Sequence, residues 1–194
     1  MKKPAHYLIR HAQSAGNAGL PTDSPASIPL THQGHAQALA FADSIEQAPD
    51  LIVVSPYLRT QQTAAPLIAR YPEVPVAEWP VHEFTYLNTQ THAGTTEAQR
   101  AVFAQAYWER RDPHWSDGSG AESFAEFIGR IDVMEQHLRE RSDSRIFIFT
   151  HGYFVKGFLQ RRQQPLATVD HVFMAAFHDH RRENVLRNTQ AIKI

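Results

Sequence analysis

The sequence predicts an α/β fold with three layers, α/β/α, around a mostly parallel central sheet. Three observations lead there. Short runs of branched and aromatic residues occupy 6–9, 50–54 and 145–150. Each gives way to small or polar residues and then to a helix-spaced apolar pattern, the alternation expected of successive βα units. Each run also delivers chemically capable residues at or just past its end: Arg10 with His11, Ser55 shortly before Arg59, and Thr150 with His151. In an open α/β sheet, ligands bind in the crevice outside the C-terminal strand ends.

A chain of 194 residues with 42% hydrophobic content suits one domain over 1–194 with a substantial core. Its 19 basic and 20 acidic residues nearly cancel, so no general basic field predicts binding to nucleic acid or to an anionic membrane. The absence of cysteine excludes disulfides and thiol catalysis. No apolar run follows Lys2 and Lys3, and none approaches the roughly 20 residues that span a bilayer. Cytoplasmic residence is the expectation.

Taken in order, residues 6–9 form a strand, and residues 12–17 are small and polar, as a strand-to-helix turn requires. Arg10 supplies a planar fork matched to phosphate oxygens and disfavours protonation of His11, leaving a neutral imidazole able to attack phosphorus. Residues 18–30 are rich in Pro, Ser and Gly and read as a loop. Thr31 is placed to cap a helix that Pro49 closes. Residues 50–54 are a second parallel strand, followed by a helix over 57–71 with Arg59 in its first turn, within reach of the same edge as Arg10.

A strand at 74–77 leads into 81–87, where Glu83 stands among aromatic neighbours that raise a carboxyl pKa toward general-acid work. Glu78 is its rival. A helical pattern within 95–120 carries Arg100, Arg110 and Arg111. Ser123 and Glu126 form a capping box at the head of a long helix. The strand at 145–150 delivers His151, with a helix over 153–162 behind it. Residues 172–177 and 184–187, joined by a polar turn at 179–182, read as a β-hairpin closing one sheet edge. Among the 12 histidines, His6, His178 and His180 offer a weak metal hypothesis; no metal and no cofactor are expected.

The string Leu8, Ile9, Arg10, His11, Ala12, Gln13, Ser14 and Asn17 resembles the LxRHGxTxxN signature of the histidine phosphatase superfamily, the phosphoglycerate-mutase-like enzymes. Ala12 stands where that signature has Gly. Pro29, Leu30, Thr31, Gly34 and Gln37 resemble its LTxxGxxQA element. Ser55, Pro56, Leu58, Arg59, Thr63 and Ala64 resemble its SPxxRxxxTA element. Glu122 with Ser123 resembles GES, and Thr150, His151 and Gly152 resemble THG. Together these matches span 6 to about 160 and appear in the superfamily's order.

The resemblance implies a phosphoglycerate-mutase-like fold and catalysis through a phosphohistidine on His11. Arg10, Arg59 and His151 would hold the phosphoryl oxygens, and Glu83 would act as acid and then as base. The helical insertion within 95–120 would cover the site, and Asn17, Gln13, Ser14, Arg110 and Arg111 are the expected substrate contacts, with Arg100 as an alternative to the arginine pair. The substrate would be a small phosphate ester or a phosphoprotein, and hydrolysis is the preferred activity. A phosphoglycerate-type mutase and a non-catalytic phospho-ligand module remain as alternatives.

Overall fold

The computed structural model describes residues 5–180 and 185–194. Five strands form one sheet: β1 (Tyr7–Arg10), β2 (Leu51–Val54), β3 (Val76–Glu78), β4 (Ile146–Thr150) and β5 (Ala191–Lys193), in the order β3-β2-β4-β1-β5. All neighbours are parallel except β5, which runs antiparallel along β1. Among the described residues, six helices flank it: α1 (His32–Asp43), α2 (Leu58–Arg70), α3 (Glu97–Arg110), α4 (Phe124–Arg139), α5 (Gly152–Gln163) and α6 (His171–His180).

The central strands β2 and β4 are buried along their whole length because both faces of the sheet are covered there, as parallel sheets demand, whereas the edge strands β3 and β5 are mostly exposed. Ile9, Ile52, Val54, Phe147 and Phe149 pack with Ala42 of α1 and with Ala64 and Leu67 of α2. The alternate residues Leu8, Leu51, Val53, Ile146 and Ile148 join Phe127, Ile131, Phe154, Phe158, Phe173 and Phe177 from α4, α5 and α6. The alternation of side chains along a strand therefore assigns each residue to one of two cores.

Helix starts follow the sequence. Thr31 accepts from Gly34 N at the head of α1, and Ser123 and Glu126 form the expected capping box at α4. A second capping box, Thr96 with Gln99, starts α3. The third strand falls at Val76–Glu78, two residues beyond its expected start.

The C-terminal hairpin is a correction. Residues 171–180 form α6, whose Phe173, Met174 and Phe177 are buried at helical spacing, and Asp170 Oδ1 accepts from Val172 N and Phe173 N at 2.9 Å. An acidic cap with apolar residues at i, i+1 and i+4 satisfies a helix and leaves no strand face. The expected turn at 179–182 and the start of the second strand at 184 lie partly outside the described residues. The sheet edge is closed instead by β5, with Leu8 paired to Ile192.

Candidate active site

Register brings the two histidines together. Arg10 pairs with Thr150 across β1 and β4, so the next residues, His11 and His151, leave the sheet side by side, their ring centroids 5.2 Å apart. His11 N donates to Thr150 O at 2.9 Å as the strands part. On the other side of β4, Val54 pairs with Phe149, which places Ser55 beside the same exit.

His11 is oriented by its backbone. Nδ1 lies 2.7 Å from the Ala12 carbonyl, an acceptor, so Nδ1 carries the proton and Nε2 the lone pair. Arg59 Nε donates to that Nε2 at 3.2 Å. The ring is 4% exposed, and burial, followed by the charge of Arg59, pushes its pKa well below the usual value. Ala12 tolerates the position where the signature has Gly: the non-glycine residues with positive φ are Arg111 and Thr189 among those described, so this turn needs no left-handed backbone. Gly34 is the glycine the loop requires, because a Cβ there would overlap the Gln13 carbonyl.

Arg59 is buried in the first turn of α2. Its Nη1 donates to Pro25 O at 2.6 Å, its guanidinium lies 5.0 Å from the Tyr57 ring centroid, and desolvation lowers its pKa to about 10. Arg10 donates through Nη1 to Leu186 O, while its Nε is buried without a hydrogen-bond partner in the protein. His151 is fully buried; Nε2 meets Ser55 Oγ at 2.8 Å and Nδ1 has no hydrogen-bond partner in the protein. Burial, and then the Arg59 charge, hold this imidazole well below its ordinary pKa. The Arg10 guanidinium N–H left unsatisfied in a buried site favours an anionic ligand there, since it otherwise bears a desolvation cost.

Glu83 sits on an irregular segment, and the structure shows what steadies it. Thr150 Oγ1 donates to Val81 O at 2.6 Å. Arg130 donates to Pro80 O and His82 O while pairing with Glu122 at 2.6 Å, and Glu122 in turn accepts from Thr85 N. The Glu83 carboxylate accepts from Tyr153 N, in the first turn of α5, at 3.1 Å. Burial nevertheless raises its pKa, against Arg59 and the two backbone donors, Phe84 N and Tyr153 N, which lower it. Glu78, the rival, is exposed at the end of β3 and does not line the cavity.

Arg10, His11, Arg59 and Glu83 line a cavity of about 930 Å³, whereas the fully buried His151 does not line it. Helix α3 forms a second, helical wall through Arg100, Ala101, Ala104 and Trp108, with Arg111 following its last turn. Of the expected substrate contacts, Ser14, Asn17 and Arg111 line this cavity. Gln13 and Arg110 do not. Gln13 Oε1 accepts from Thr31 Oγ1 at 2.6 Å, and the Arg110 guanidinium stacks 4.1 Å above Trp115. Arg100 lines the cavity and donates to Thr95 O at 2.6 Å.

Sequence reasoning passed over Asn188. Its Nδ2 donates to His11 O at 2.9 Å and to Asn17 Oδ1 at 3.3 Å, while Ser14 N also donates to that Oδ1. With its oxygen so engaged, Asn17 has its amide nitrogen free to donate to a ligand. Nothing local announces Asn188, which is 177 residues from His11. The histidines proposed for a metal form no such group: among the described residues, no three His, Cys, Asp or Glu side chains cluster to hold an ion. Among them, too, no helix is long and apolar enough to cross a membrane.

No curated protein sequence matches the chain. The structure of mycobacterial glucosyl-3-phosphoglycerate phosphatase in complex with VO3 is similar at TM-score 0.71 and 22% identity, over 98% of this chain and 92% of the other. The α-ribazole phosphatase of Shigella flexneri aligns at TM-score 0.73 and 19% identity, over 98% and 89%. Entamoeba histolytica phosphoserine phosphatase aligns at TM-score 0.71 and 20% identity, also over 98% and 89%. At these identities the likeness is one of fold. The family model for the histidine phosphatase superfamily (branch 1) matches residues 6–176, and with that span the chain belongs to the histidine phosphatase superfamily.

Proposed function

We propose that this protein is a metal-independent phosphomonoesterase that works through a phosphohistidine on His11. The observation that carries the reading is the state of His11: Nδ1–H is tied to the Ala12 carbonyl, so Nε2 holds the lone pair, which accepts from Arg59 Nε until that donor turns to a phosphoryl oxygen. Such a nitrogen attacks phosphorus as the ester P–O bond breaks. Arg10, Arg59 and His151 stabilise the charge on the equatorial oxygens, a role for which buried, preorganised donors are most effective. Asn17 adds a donor.

Glu83 protonates the departing oxygen, and its raised pKa suits a carboxyl that must enter the reaction holding a proton. In the second half-reaction it accepts a proton from the water that attacks phosphohistidine, releasing phosphate and restoring His11. Hydrolysis is preferred over mutase action because the arginine pair that would favour a phosphoglycerate is split: Arg110 rests on Trp115 while Arg111 lines the cavity. A cavity of about 930 Å³ has room for a leaving group well beyond the phosphoryl unit. The relatives' names point to small esters such as phosphoserine.

The test is hydrolysis of p-nitrophenyl phosphate by the wild type and by His11→Ala, with EDTA, with vanadate and with trapping of labelled enzyme. Activity that survives EDTA, falls with vanadate, vanishes in the variant and leaves an acid-labile, base-stable phosphoenzyme is the expected result. Folded wild type that binds phosphate but turns over neither this ester nor a panel of small esters would move the reading to a phospho-ligand module.

A further inference from the structure

The hydrogen bonds around Ser55 determine where the proton on His151 resides. Thr60 Oγ1 lies 2.7 Å from the Tyr57 carbonyl, a contact that needs a proton, and only the threonine hydroxyl can supply it. The 2.9 Å contact between Ser55 Oγ and Thr60 Oγ1 must then use the Ser55 hydrogen. Ser55 Oγ, already accepting from Tyr57 N at 3.2 Å, has no hydrogen left for His151. The 2.8 Å contact from His151 Nε2 to Ser55 Oγ is therefore closed by an Nε2–H. In the neutral ring, Nδ1 then carries a lone pair, buried and without a hydrogen-bond partner in the protein.

Every other group facing this ring agrees with a neutral resting state. Arg59 of α2, Arg130 of α4, His11 after β1 and His82 after β3 all disfavour a positive charge there, and the Tyr57 ring packs edge-on at 5.3 Å. An anion cannot rest against a lone pair. We propose that Ser55 is a positioning residue that locks His151 in its Nε2–H tautomer, so that binding a phosphoryl anion takes one proton onto Nδ1. The balance is simple: a phosphate dianion enters with one proton from solution, whereas an ester monoanion supplies its own. Release of phosphate returns the proton. The inference rests on the phosphoryl site described above, and the tautomer itself stands apart from it.

Two measurements on the full chain decide it. Long-range ¹H–¹⁵N spectra of the wild type at pH 7 should show His151 neutral and protonated on Nε2; an Nδ1–H ring or an imidazolium overturns the lock whatever the activity. Calorimetry with inorganic phosphate at pH 8, in two buffers of different ionisation enthalpy, should show uptake of about one proton per phosphate bound.

Ser55→Ala frees the ring to carry its proton on Nδ1, so uptake should fall toward zero, with kcat lower by about 10- to 100-fold, the range typical of outer partners that orient a reacting group. Glu83→Gln should keep the uptake, which separates His151 from the other buried proton carrier. Phosphate binding with no uptake, or equal uptake in Ser55→Ala, overturns the coupling alone. Failure of the wild type to bind phosphate at all overturns the coupling and the proposed function together.

Discussion

The two walls of the cavity are built differently. On the sheet wall, His11 and Arg59 are at most 5% exposed, and each has a hydrogen bond to a group from another part of the chain, or to its own turn, that restricts its orientation. On the helical wall, Glu97, Glu109 and Arg111 line the same cavity from exposed positions. Long charged side chains in water keep their rotamer freedom and their screening. Groups that must meet a transition state within a fraction of an ångström belong on the first wall; groups that sort leaving alcohols can belong on the second.

That contrast predicts effects in descending order. Glu83→Gln should slow esters of poor leaving groups by about 100- to 10,000-fold while sparing p-nitrophenyl phosphate much of that loss, because a good leaving group needs no proton. Equal losses across a leaving-group series would remove Glu83 from the acid role. Arg59→Met should cost about 100- to 1,000-fold in kcat/KM, as removal of one preorganised donor does, and should weaken vanadate inhibition with it. A loss in KM alone would place Arg59 in ground-state binding. At the other extreme, Arg111→Ala and Glu97→Gln should change kcat/KM for p-nitrophenyl phosphate by less than about fivefold, the range of exposed charge pairs. Larger changes confined to bulkier esters would identify these residues as selectors of the leaving group.

Stability against pH separates the walls a second way. His11 and His151 have folded pKa values depressed below 6.5, so above pH 6.5 both are neutral in the folded and the unfolded chain and nothing is lost. Below 6.5 the unfolded chain takes up protons that the folded chain refuses. Each ring should then remove about 1.4 kcal/mol per pH unit until its folded pKa is reached. His82, lowered to about 4, adds to the acid slope. Glu83 has the opposite sign: its raised pKa favours the folded state below the unfolded value of 4.5, and that contribution is lost as pH rises through the folded pKa. Urea unfolding at pH 7, 6 and 5 should show a steep acid loss, and Glu83→Gln should be more stable than wild type at pH 7. A flat profile would mean that these rings take up protons in the native protein as readily as in the unfolded chain.

Much of the sheet wall was readable because its signals are local. A branched run ending in a charged or polar residue and followed by a helical pattern places that residue at the sheet edge, and this rule set Arg10, His11 and His151 there; Arg59, in the first turn of α2, was assigned through its match to the SPxxRxxxTA element. Helix starts were equally readable from Thr31 and from Ser123 with Glu126, since a cap is a contact across three residues. The α6 error was also local: Asp170 and the 173, 174, 177 spacing pointed to a helix, but a short apolar run invites a strand reading. Other features had no local sign. Which arginine of α3 faces the cavity depends on helix rotation, and Arg110 is drawn away by Trp115, a residue of the following loop.

The sequence by itself determined which chemical groups this protein has and the order in which its strands deliver them, because strand and helix periods and caps are set by neighbours a few residues apart. Tertiary structure alone decided how those groups are presented. The β1–β4 register sets His11 beside His151, Ser55 reaches across 96 residues to His151, and Asn188 reaches across 177 to hold the His11 loop. A ring's tautomer and an amide's orientation are properties of the hydrogen bonds made in the folded chain, and the partners in those bonds meet only when the sheet has formed.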